Sequence, residues 1–62
     1  MHYYRVSFEH PRGGGNLTVR ASSVDIVNAF YSKVFDTFSV RRASGEEVRA
    51  TKTRGAHILT LE

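Results

Sequence analysis

The sequence predicts an α+β fold: one antiparallel sheet in the order ββαβββ, with a single amphipathic helix packed on one face. Three observations carry this. Residues 22–35 have a clean helical period, the segments on either side alternate apolar and polar residues as strands do, and clusters of Gly, Pro, Ser and Asn punctuate them. A chain of 62 residues is one domain, which buries only ~60% of its unfolded surface, so a second copy or a partner would add to its stability.

Residues 3–9 alternate, with Tyr4, Val6 and Phe8 on one face and Tyr3, Arg5, Ser7 and Glu9 on the other. His10-Pro11-Arg12-Gly13-Gly14-Gly15-Asn16 cannot continue a strand and reads as a mobile hairpin tip. Leu17, Val19 and Ala21 then alternate with Thr18 and Arg20 in a second strand.

Placed at ~100° per residue, Val24, Val27, Phe30, Tyr31, Val34 and Phe35 fall on one stripe, with Ile26 at its margin. Asp25, Asn28, Ser32 and Lys33 fall opposite. Ser22 or Ser23 can cap the first turn, Ser22 and Asp25 have capping-box spacing, and Lys33 suits the dipole at the far end.

Residues 37–43 form a third strand with Phe38 and Val40 inward, and Ser44-Gly45 a tight turn. Residues 47–53 read as a weaker strand with Val48 and Ala50 inward. Arg54-Gly55 turns again, and residues 57–62 close the sheet with Leu59 and Leu61 inward. Leu61-Glu62 also has the form of a cloning remnant, which would weaken that strand. The preferred hand of crossovers gives the strand order 2-1-3-4-5, all antiparallel.

Several chemistries find no support. Three Gly after Arg12 resemble a phosphate loop, but a strand follows where such a loop needs a helix N-terminus. His2, His10 and His57 lie on different elements without zinc-site spacing, and there is no cysteine. No serine sits on a nucleophile turn, and Glu46 and Glu47 read as a solvated pair rather than a catalytic dyad. The expectation is a non-enzyme with no catalytic residues, no metal and no cofactor. The N-terminus lacks the basic-then-apolar order of a signal peptide and no apolar run is long enough to span a membrane, so the expected location is the cytoplasm.

Nine basic residues, seven of them arginine, against six acidic ones give +3, a balance that suits an anionic partner. With the helix covering the apolar face, the other face carries Tyr3, Arg5, Arg20, Arg41 and Arg49 from four different strands. Arginine planes beside a tyrosine can bind phosphates and stack on bases, so this is the candidate binding face, with Arg12, Gly13 and Gly14 of the tip as a candidate loop contact. The plainer reading is a solvated Thr/Arg face, with Glu9 and Glu62 as charge partners. Arg42 and Lys52 break the inward alternation and are expected where strands run past the helix. Antiparallel order leaves edges at strand two and at the last strand; the first has little protection, and such an edge offers itself to a target sheet or to a homodimer.

The element order of residues 3–9, turn, 17–21, Ser-capped helix and 38–43 resembles the small ββαβ regulators and inhibitors of bacteriophages and mobile elements. Among these are an inhibitor of bacterial RNA polymerase and certain anti-CRISPR proteins. The likeness is one of pattern and transfers no functional residue. It implies a stand-alone module that acts by protein contact on a nucleic-acid-processing machine. Direct binding of DNA or RNA by the arginine face is the alternative.

Overall fold

Val6 and Val19, both fully buried, mark the middle of the sheet and show how the chain encloses it. The computed structural model describes residues 1–61. Its elements are β1 (His2–Phe8), β2 (Gly15–Ala21), α1 (Val24–Tyr31), β3 (Phe38–Arg42), α2 (Gly45–Thr53) and β4 (Leu59–Thr60). The sheet order is β3-β1-β2-β4. β1 pairs antiparallel with β2 and β3, and β4 joins β2 in parallel.

The 2-1-3 antiparallel centre is thus as expected, while the five-strand, all-antiparallel sheet with one helix is not. Four strands in a mixed sheet and two helices replace it. The expected fourth strand, residues 47–53, lies in α2, and Ser44-Gly45 is the start of that helix rather than a tight turn. The decisive local signal is Ser44-x-x-Glu47. The Ser44 hydroxyl accepts from the Glu47 amide at 3.1 Å while the Glu47 carboxylate accepts from the Ser44 amide at 3.0 Å. Glu46 and Glu47 in the first turn and Lys52 in the last complement the helix dipole. Ser44→Ala removes one half of the box and is expected to lower stability by about 1 kcal/mol in urea unfolding.

The capping box expected at Ser22 and Asp25 is not formed. Ser23 is the N-cap of α1, and its hydroxyl caps no amide among the described residues. The helix also ends earlier than residue 35. The Ser32 hydroxyl donates to Ala29 O, and a turn carries Phe35 onto Phe8, the rings stacking 4.4 Å apart. Lys33 consequently lies beyond the helix it was expected to end.

Crossover handedness explains where α2 goes. β2 and β3 run the same way, and α1 links them across one face of the sheet. β4 also runs with β2, so the link from β3 through α2 crosses the sheet in the reverse direction. A reverse crossing keeps the same hand only by passing over the opposite face. The residues expected to form a long closing strand are therefore delivered to the far side of β2. There Leu59 and Thr60 pair with Val19 and Arg20, and the Leu61 amide donates to Arg20 O at 2.7 Å, so the edge expected to be open at strand two is closed and the sheet's edges are β3 and β4. Glu62 lies outside the described residues, and so does its expected charge pairing.

The core lies between α1 and the sheet: Tyr4, Val6, Val19, Ala21, Val27, Tyr31 and Leu61, with Ile26, Phe35, Phe38 and Val40 half-buried against it. Leu17 and Leu59 share the inward face but stay exposed, because α1 reaches neither of them fully. Val48 lies on α2 and is not part of this core. Arg42 has the inward parity, and its guanidinium rests over the Tyr4 ring at 5.9 Å. No helix among the described residues is long and apolar enough to cross a membrane.

Candidate functional site

The face expected to be open carries α2, which buries Thr18 and leaves Arg20, Ser39 and Arg41 exposed. Register places Arg5 directly opposite Arg41 on β3, and Arg5 opposite Thr18 on β2. Two guanidinium groups facing each other repel, and an anion between them relieves this. Glu47 of α2 is that anion. Arg41 donates to both of its carboxylate oxygens, Nη1 at 2.7 Å and Nη2 at 2.6 Å, and Arg5 Nε lies 3.7 Å from Oε2. These bonds, above all those from Arg41 and then that from the Ser44 amide, lower the Glu47 pKa from 4.5 to about 2. The same pairing raises that of Arg41.

A second tie runs through hydroxyls. Thr51 spends its proton on Glu47 O at 2.8 Å, so in the 3.0 Å contact between the two threonine hydroxyls Thr18 is the donor. The Thr18 oxygen in turn accepts from Arg5 Nη1 at 2.8 Å. Arg5 to Thr18 to Thr51 to Glu47 O is one directed chain, in which both threonines are buried and each bond polarises the next. Thr18, expected to face solvent, is buried because α2 lies on it.

The arginine face therefore does not exist as a set. Arg5 and Arg41 come together, but around Glu47. Tyr3 and Arg20 face each other across β1 and β2, with the Lys52 ammonium 5.6 Å from the centre of the Tyr3 ring. Lys52 is thus a residue of α2, not of a strand overrunning a helix. Arg49 sits on the exposed side of α2, away from the sheet strands that were expected to hold it. Arg12, Gly13 and Gly14 lie in the β1–β2 connection, at the opposite end of β1 from Tyr3. Their geometry has a structural cause. Gly13 adopts φ of 127°, and a Cβ on Gly14 would meet Phe8 O at 2.8 Å.

A different surface stands open. Ile26, Ala29, Phe30 and Lys33 on one side, with Thr60 and Leu61 on the other, line a groove of about 510 Å³ between α1 and β4. Phe30 is 44% exposed there, held edge-on against Tyr31 at 4.9 Å, and Leu59 is exposed nearby in sequence. Lys33 makes no salt bridge among the described residues. A second cleft, of about 610 Å³, has Glu9, His10 and Asp36 in its lining, yet no three metal-capable side chains converge among the described residues.

Sequence reasoning missed the groove because it treated the whole apolar stripe of α1 as buried. From Ile26 through Phe30 to Phe35 that stripe spans about 180° at 100° per residue, wider than one sheet can cover. Val27 and Tyr31 lie near its middle and are buried, while Phe30 and Val24, and Val34 in the following turn, are exposed. The width itself was the signal. No family model, curated protein or solved structure matches the chain.

Proposed function

We propose that the protein is a non-enzymatic binding module that works by protein contact through the α1–β4 groove. In this reading it is a small regulator or inhibitor of a nucleic-acid-processing machine, as the ββαβ order of its first four elements suggests. The observation that carries the contact surface is Phe30, a large aromatic left in solvent at an apolar groove while its neighbour Tyr31 fills the core. Aromatic residues so placed are typical anchors of interfaces. The lining is apolar apart from Lys33 and Thr60, which suits recognition better than acid–base chemistry. The partner that fits offers an apolar side chain to the groove with a carboxylate within reach of Lys33.

Direct nucleic-acid binding is the weaker reading, because Arg5 and Arg41 already hold an internal carboxylate. What remains for it is the Tyr3, Arg20 and Lys52 group, with Arg12 and Arg49 elsewhere on the surface. Capture from lysate by the immobilised chain, run beside Phe30→Ser and Arg20→Ala/Arg49→Ala variants, separates the two. The expected result is a protein retained by the native chain and by the arginine variant and lost with Phe30→Ser, with single-stranded DNA, duplex DNA and RNA all unbound at low salt. Oligonucleotide binding that falls steeply with salt and vanishes in the arginine variant would establish the alternative instead.

A further inference from the structure

The β3 edge of the sheet is open, and its register shows what it can accept. The Ala43 amide donates to Tyr3 O at 3.0 Å and the Glu9 amide to Thr37 O at 3.1 Å. Antiparallel strands alternate the direction of their main-chain groups. Thr37, Ser39, Arg41 and Ala43 therefore turn theirs toward β1, and Phe38, Val40 and Arg42 turn theirs outward. The core also thins on this side, since Phe35, Phe38 and Val40 are half-buried rather than enclosed.

We infer that a second copy of the chain pairs on this edge, β3 against β3 antiparallel, with Val40 on the two-fold axis. This register matches the outward groups completely: Val40 bonds to Val40 of the second copy, and each Phe38 bonds to an Arg42. Side chains also match. On the α1 face, Val40 meets its own copy and each Arg42 meets a Phe38 ring, a favourable cation–aromatic pair. On the α2 face, each Arg41 meets a Ser39. Registers centred on Arg41 or Arg42 set like charges against each other, and those centred on Ser39 or Phe38 leave Arg42 without a partner in the opposing β3. The edge is thus self-complementary in one register, which is what a closed two-fold interface requires. The axis stands perpendicular to the sheet, so two four-stranded sheets become one, with both α1 helices on the same face. The pairing completes the half-buried Phe38 and Val40 of a domain with a small core. It leaves the α1–β4 groove, at the opposite edge, free on each copy.

The chain has no cysteine, which makes the register directly testable. Residues facing each other in a hydrogen-bonded antiparallel pair have Cα atoms about 5.5 Å apart, within disulfide reach. Val40→Cys is expected to oxidise to a covalent dimer, whereas Asn28→Cys, exposed on α1, is expected to stay largely unlinked. The native chain is expected to sediment at twice 7.0 kDa, and Val40→Pro to halve that mass. The proline removes an amide that points away from β1, so the protomer's own sheet bonds survive it. A native chain that stays at 7.0 kDa up to the highest attainable concentration overturns the inference. So does a dimer in which Val40→Cys links no faster than Asn28→Cys. If Val40→Pro fails to fold, the native mass and the cysteine pair still decide.

Discussion

Tyr31→Ala is expected to remove a large share of the fold's stability, while the change next to it, Phe30→Ala, removes little. Tyr31 is 5% exposed and stacks on Phe35 at 5.6 Å. Its burial is deep enough to raise the pKa of its phenol. Truncating a buried aromatic of this kind costs about 3–5 kcal/mol, through lost transfer energy and the cavity left behind. A domain of 62 residues has a total stability of about 3–9 kcal/mol. The loss is thus a large share of the total. Phe30 is half in solvent, and its removal forfeits little beyond an edge-to-face contact with Tyr31, about 0.5–1.5 kcal/mol. Urea unfolding followed by far-UV circular dichroism reads both. Equal losses from the two variants would show that Phe30 belongs to the core, and the groove would lose its standing as a contact surface.

The second large effect is electrostatic. The folded-state pKa of Glu47 is depressed from 4.5 to about 2, chiefly by the bonds from Arg41. A carboxylate depressed on folding stabilises the fold fully above its unfolded pKa, and the contribution disappears as pH falls through the folded one. Stability from this group is therefore complete above 4.5 and lost between there and about 2. Glu47→Gln keeps a side chain suited to the capping box but removes the charge. It is expected to be less stable at neutral pH and to show a shallower fall in that acid window. Unfolding midpoints recorded from neutral pH down to about 2 check this. A mutant with the same acid limb as the native chain would mean that Glu47 does not hold Arg41. Because Glu47 is 25% exposed and Arg41 60%, salt should weaken the effect.

These two residues also show what was legible in the sequence. Alternation in residues 3–9 and 17–21, with a Pro/Gly tip between, was enough for the hairpin. The period of Val27, Tyr31 and Phe35 was enough for α1 and its buried centre. Residues 45–53 were not legible by hydrophobic pattern, because α2 packs on the sheet through Glu47, Thr51 and Lys52 rather than an apolar stripe. A polar contact of this kind depends on which hydroxyl and which guanidinium stand opposite. Only register determines that. The Ser44 and Glu47 pair is a helix start signal in the sequence, while the chance alternation of Val48 and Ala50 points to a strand. The direction of β4 followed from the same misreading, since a hairpin at Ser44-Gly45 leaves no crossover to carry the chain back over β2.

The proposal of contact through the groove rather than the arginine face rests on α2 lying on that face, and a proton NOE spectrum of the native chain tests this most directly. The expected spectrum shows helical contacts along Gly45–Thr53 and a cross-peak between the Thr51 and Thr18 side chains. Cross-strand contacts between residues 47–53 and 37–43, with no Thr18–Thr51 peak, would contradict it. The arginine face would then be open, as the alternation alone suggests.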